Sequence, residues 1–174
     1  MAAAAPVVRP ALWTAARDGR ADEVEQLLSE EVDIEERGGA SVCTPLHVAS
    51  AMGNDEVVLL LLEHGAEVSA RNNKGGTPLH YAARHGHSET LRFLLHTGAD
   101  LQSRNNNGWT PEDLARVYSH PQVVAMLQAE ALRREELLRT QCVAFAMGHH
   151  ERLGVGSRVQ WLDAGVLRMV LEGV

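Results

Sequence analysis

Thr44-Pro45-Leu46-His47-Val48-Ala49 returns 33 residues later as Thr77-Pro78-Leu79-His80-Tyr81-Ala82. It returns once more after another 33, eroded, as Thr110-Pro111-Glu112-Asp113-Leu114-Ala115. A fixed period of this length marks a supersecondary unit copied along the chain. Units of this kind stack on their neighbours and build an extended surface, not an enclosed pocket.

The residues of one unit explain each other. Thr77 precedes Pro78, so its hydroxyl can cap a helix while the proline fills the first turn, where a missing N–H costs nothing. His80 is expected to hydrogen-bond a neighbouring loop through its imidazole. Ala82 and Ala83 are small where two helices approach closely, and Gly86 ends the first helix in the left-handed region. A second helix over 88–96 puts Leu91, Leu94 and Leu95 on one face, and Gly98 closes it. Between units, 68–76 projects as a finger with Asn72-Asn73-Lys74-Gly75 at its tip. The finger over 35–43 carries Gly38-Gly39 in place of Asn-Asn and belongs to a repeat one residue longer, since Leu12 precedes Leu46 by 34 positions and Leu46 precedes Leu79 by 33. The phase predicts that Leu46, Leu79, Leu94, Leu95 and Leu127 are buried between helix layers.

The pattern T-P-L-H-x-A-x-x-x-G, a second helix, then G-A-D/E resembles the ankyrin repeat. Two copies are nearly complete, from Thr44 to Glu67 and from Thr77 to Asp100. The first copy lacks T-P-L-H but keeps Leu12, Ala15, Gly19, Val24, Leu27 and Leu28. The fourth keeps Thr110-Pro111, Leu114-Ala115, Val123 and Leu127, with Glu112-Asp113 in place of Leu-His and Pro121 near the start of its second helix. The resemblance implies an all-α repeat fold: an ankyrin-repeat solenoid of helix pairs with short β-hairpin fingers and a C-terminal helical extension. The expected organisation is an N-terminal segment 1–10, a repeat domain 11–139 (repeats 11–43, 44–76, 77–109 and 110–139), and an extension or cap 140–174.

Composition narrows the chemistry. Hydrophobic residues make up 45% of the chain but aromatics only 4%, so the core is built from Leu, Val and Ala. The net charge of −7 argues against nucleic acid, which needs a basic face to displace counterions. Cys43 and Cys142 lie far apart with no pairing pattern, which favours a reducing compartment over a disulfide framework. The stretch 1–10 is too short and too weakly apolar for a signal peptide, and no apolar run reaches the roughly 18 residues of a membrane span. The expectation is a cytoplasmic protein, with the nucleus as the alternative, that binds neither nucleic acid nor membrane and is a monomer in isolation. The acids of the first repeat, Asp22, Glu23, Glu25, Glu30, Glu31, Asp33, Glu35 and Glu36, read as a solvated end of the stack.

The chain reads as helical over 121 to about 147, either one continued helix or two broken near Ala131, until Gly148, Gly154 and Gly156 puncture it. A last helix is expected over 164–172 with Asp163 as its cap. The segment 140–174 is too apolar for a solvated linker. It is expected to fold back as a cap, packing Phe145, Trp161, Leu167 and Leu171 on the helices between 123 and 138. Leu162-Asp-x-x-Val166-Leu167-x-x-Val170-Leu171 also looks like the opening of an F-box, without its proline.

No nucleophile, base and orienting group can be assembled from this sequence, so no enzyme is expected. His47 and His80 hold the repeat's own structural position. His85 and His87, like His149 and His150, have no Cys or carboxylate at ligand spacing. Gly154-Val155-Gly156-Ser157 lacks the strand and the Gly-Lys-Ser/Thr of a phosphate cradle. Neither metal nor cofactor is expected. The resemblance implies that partners dock on a concave face made by finger tips and the first helices. The matching positions are Arg71, Asn73, Lys74, Arg104, Asn106, Asn107 and Trp109 in the fingers, with Met52, Arg84, His85, Val117 and Tyr118 on the first helices. Aromatics, arginines and a methionine on one face suit an interface, and its basic character favours an acidic segment of another protein. The implied function is a protein–protein scaffold or adaptor. The alternatives are a ubiquitin-ligase adaptor working through the F-box-like helix and a regulatory or inhibitory subunit of an enzyme.

Overall fold

The computed structural model describes residues 11–30 and 32–152, those beyond 141 as backbone alone. Eight helices occur among them: α1 (Ala11–Asp18), α2 (Ala21–Ser29), α3 (Pro45–Met52), α4 (Asp55–Glu63), α5 (Pro78–His85), α6 (Ser88–His96), α7 (Pro111–Val117) and α8 (Pro121–Arg152). The first helices form one layer, in which α3 packs on α1 and α5, and α5 on α7. The second helices form another, with α4 between α2 and α6. The fold is an all-α repeat solenoid.

Small residues bring the first helices together. Ala15, Ala16, Ala49, Ala82, Ala83 and Ala115 are all fully buried. Leu46, Leu79, Leu94, Leu95 and Leu127 are buried at 1, 0, 0, 8 and 3% exposure, so the leucine phase read from the repeats holds at every position. Each fully buried leucine contributes about 1.5–3 kcal/mol of transfer energy.

The chain turns sharply between the two helices of a pair. Gly53 and Gly86 sit at φ +72° and +78°, where a side chain is strained. A Cβ at Gly53 would also meet the His87 ring at 2.5 Å, and one at Gly86 the His120 ring at 2.5 Å. Those rings are there for a reason. His87 Nε2 lies 3.0 Å from the Ala51 carbonyl, and His120 Nε2 3.0 Å from that of Arg84. Asn54 does the same for α1, donating to Ala16 and Arg17 at 2.8 and 3.0 Å. Orphan carbonyls at the C-termini of α1, α3 and α5 are thus satisfied from the next repeat.

The fingers are hairpins in path but not β-hairpins. Among the described residues there is no strand, and Gly38–Cys43 forms an isolated bridge. Asn72 Oδ1 takes the Lys74 and Gly76 N–H groups at 3.0 Å each, and Asn105 Oδ1 takes those of Asn107 and Trp109 at 2.9 and 3.1 Å. These side-chain turns consume the donors that a ladder would need. Gly38 has no side chain to do this, so it exchanges both backbone bonds with Cys43 at 2.9 Å.

Helix α8 runs through Gly148 to Arg152, farther than the glycine suggested. One interior glycine costs only about 1 kcal/mol against alanine, and no proline follows it here. The helix is continuous past Ala131. The chain divides into two compact units, one ending at Leu127 and one beginning at Gln128. In the second, Glu130 pairs with Arg133 and Arg134 at 3.2 and 2.9 Å, and Arg139 with Glu135 at 3.0 Å. Trp161, Asp163, Leu167, Leu171 and the F-box-like stretch lie outside the described residues, as does the Phe145 side chain. Among the described residues no helix is long and apolar enough to cross a membrane.

Candidate functional site

The site is assembled from fingers held in a row. His47 shows how. Its Nδ1 accepts the Thr44 N–H at 3.3 Å and lies 2.8 Å from the Thr44 hydroxyl, while Nε2 lies 3.0 Å from the Gly76 carbonyl. With Nδ1 an acceptor, the proton sits on Nε2 and is donated to the following finger. Burial holds this imidazole neutral, pushing its pKa down to about 4. His80 repeats the arrangement with Thr77 and the Trp109 carbonyl, and burial lowers its pKa as well.

The ends of the row depart from this pattern. Trp13 stands 34 positions before His47 and caps nothing; its ring covers Gly38 and Gly39, where a Cβ at Gly38 would come within 2.9 Å of it. At the other end Asp113 keeps the capping half of the histidine's role, taking the Thr110 N–H and hydroxyl at 2.9 and 2.8 Å. Those bonds hold its carboxyl below the usual range. A carboxylate has no proton to send forward.

Arginines tie the same fingers together. Arg37 donates to the Arg71 carbonyl at 3.0 Å, and Arg71 to that of Arg104 at 2.6 Å. Arg104 donates to Gly108 in its own finger at 2.7 Å. Backbone bonds cross in the opposite sense, from Asn73 N–H to Ser41 at 3.3 Å and from Asn106 N–H to Lys74 at 3.0 Å. Glu35, expected to be a solvated charge, instead accepts the Glu67 N–H at 2.8 Å, and burial raises its pKa.

Against this row, α5 and α7 leave an open groove of about 510 Å³. Of the residues singled out from the sequence, Asn73, Lys74, Arg84, Asn106, Asn107, Trp109 and Tyr118 line it. Met52, Arg71, His85, Arg104 and Val117 do not. Arg71 and Arg104 are spent on finger carbonyls, whereas Met52 and Val117 are exposed at the ends of α3 and α7. Tyr81 and Asn105 also line the groove and were not anticipated. A signal existed for both, since Tyr81 replaces an apolar residue after the motif histidine and Asn105 is in phase with Asn72.

The Tyr81 hydroxyl accepts from Asn72 Nδ2 at 2.6 Å, so its ring is fixed as a wall. The Arg84 guanidinium lies over the Tyr118 ring at 4.7 Å, an orientation that holds the cation without neutralising it. Lys74 and Arg84 belong to no ion pair among the described residues, and no carboxylate is among the groove's lining residues. Among the described residues no three His, Cys, Asp or Glu side chains are grouped so as to hold a metal ion.

Paired short helices, left-handed glycine caps and a finger every 33 residues define a helix-pair repeat protein. Residues 46–95 match the family model of ankyrin repeats (many copies), and the repeats of this stretch are ankyrin repeats. Ankyrin repeats are in general protein–protein interaction modules.

Proposed function

We propose that this chain is a non-enzymatic recognition module that binds an acidic segment of another protein in the groove between the last two fingers and helices α5 and α7. One observation carries this proposal: Lys74 and Arg84, which pair with no acid among the described residues, sit among Tyr81, Trp109 and Tyr118 in a groove that no described carboxylate lines. Large aromatic side chains supply contact area at low entropic cost, and Arg joins them as a common interface anchor. The asparagine amides offer donors and acceptors to a partner's main chain. Opposite charge speeds encounter and makes binding sensitive to salt.

The test is an affinity purification with wild type and with a Trp109→Ala/Tyr118→Ala double variant. Neither ring is in the buried core, at 41% and 43% exposure, so the double variant should fold. It should lose the main partner, and the wild-type complex should weaken as salt rises. A folded double variant that keeps the same partner would refute the assignment.

A further inference from the structure

The finger row ends in an open edge. Each earlier finger gives two carbonyls to the next: Ala40 and Ser41 accept from Asn73, through Nδ2 at 3.3 Å and N–H at 3.3 Å. Asn73 and Lys74 accept from Asn106 in the same two ways, at 3.1 and 3.0 Å. Each earlier finger also sends a guanidinium forward, Arg37 to Arg71 and Arg71 to Arg104. In the last finger the equivalent carbonyls, those of Asn106 and Asn107, take no hydrogen bond among the described residues. Arg104, the equivalent guanidinium, has no following finger and folds back on Gly108. Arg104, Asn106 and Asn107 are all exposed, so none of the described residues covers this edge.

We infer that this edge binds an extended, acid-bearing segment of a protein partner as a surrogate fourth finger, reading its main chain through the Asn106 and Asn107 carbonyls and the Arg104 guanidinium. Two unmet acceptors, with the guanidinium N–H groups that Arg104 does not use on Gly108, complement the alternating N–H and C=O groups of an extended chain, the logic by which a peptide adds to a sheet edge. Charge selects an acidic segment. Asp113 interacts electrostatically with Arg104 but is already bonded to Thr110. The edge adjoins the groove, which Asn106 and Asn107 also line, so this inference rests on recognition in that groove and adds how the partner's backbone is held.

The experiment uses the full chain, isotope-labelled, and three capped dodecapeptides: alternating Glu–Thr, the same sequence N-methylated at alternate amides, and alternating Lys–Thr. The Glu–Thr peptide should shift the Asn107 and Gly108 amides and the Arg104 side-chain resonance. N-methylation and the Arg104→Ala variant should each weaken binding about tenfold, a hydrogen bond's worth to a charged or desolvated group. Arg104→Ala leaves its own carbonyl in place for Arg71, so the row stays closed. If N-methylation and Arg104→Ala change nothing while Arg84→Ala weakens the Glu–Thr peptide, the edge is a solvated end and groove recognition stands without it. If the Lys–Thr peptide binds as well as Glu–Thr, or none binds, both are overturned.

Discussion

The His80 imidazole and the Trp109 carbonyl, 29 positions apart, are joined at 3.0 Å, and the neutral ring donates there from Nε2 because its Nδ1 accepts the Thr77 N–H. His47 makes the same bond to Gly76 and is held neutral by burial, its pKa pushed down from 6.5 to about 4. Folded-state depression means the unfolded chain binds the proton first as pH falls. The contribution is therefore complete above about pH 6.5 and is lost progressively as pH falls towards about 4. The slope is up to about 1.4 kcal/mol per pH unit for each such histidine. Urea melts of wild type and His47→Gln across this window should show a flatter pH dependence in the variant. Parallel curves would refute the assignment of protons.

Leu79 is fully buried between helix layers. Leu79→Ala should cost about 2–5 kcal/mol, the range for a large-to-small change in a packed core. Chemical denaturation measures it, and an unchanged midpoint would mean that the helix layers do not meet there.

Ser50 fills the place held by Ala16 and Ala83 in the neighbouring repeats; it is fully buried, and its hydroxyl has no hydrogen-bond partner among the described residues. Ser50→Ala should stabilise by about 1 kcal/mol, because an unmet buried polar group is removed and little volume changes. A destabilised variant would show that the hydroxyl has a partner after all.

Ser119 takes the place of the capping glycines at φ +60°, and Gly86 stands one repeat earlier at +78°. Ser119→Gly should gain about 0.5–1 kcal/mol by removing left-handed strain. Gly86→Ala should lose more than that, because its Cβ also meets the His120 ring. Thermal melts of the pair should move in opposite directions; movement in the same direction would contradict the cap geometry.

Much of the helical frame was legible because its signals are local. A threonine before a proline, a glycine after eight residues and leucines in phase each report on one turn of chain. Much of what stayed hidden depends on partners about one repeat away. Arg37 and Arg71 look like free surface cations in sequence, yet each is committed to a carbonyl that only the stacked row brings near. Asn72 resembles a turn former, and nothing in its spacing reveals that its oxygen replaces a β-ladder. Glu35 belongs to an acidic run, but stacking half-buries it against the next finger. Trp13 is legible in hindsight as the first repeat's substitute for histidine, because it lies 34 positions before His47.

The ties between fingers also set the step by which such a chain can grow or shrink through evolution. His47 to Gly76 and His80 to Trp109 are one bond written twice, each spanning 29 positions. Removing the 33 residues from Thr44 to Gly76 would join Cys43 to Thr77 and leave His80 facing Trp109 as before. A gain or loss of any other length within a helix would misalign several ties at once. The extra residue of the first repeat lies where slippage is tolerated, between Gly38 and Cys43, whose mutual bonds close the loop whatever its tip contains. Whole units can therefore be exchanged and tips can drift, while the helices between them stay in step.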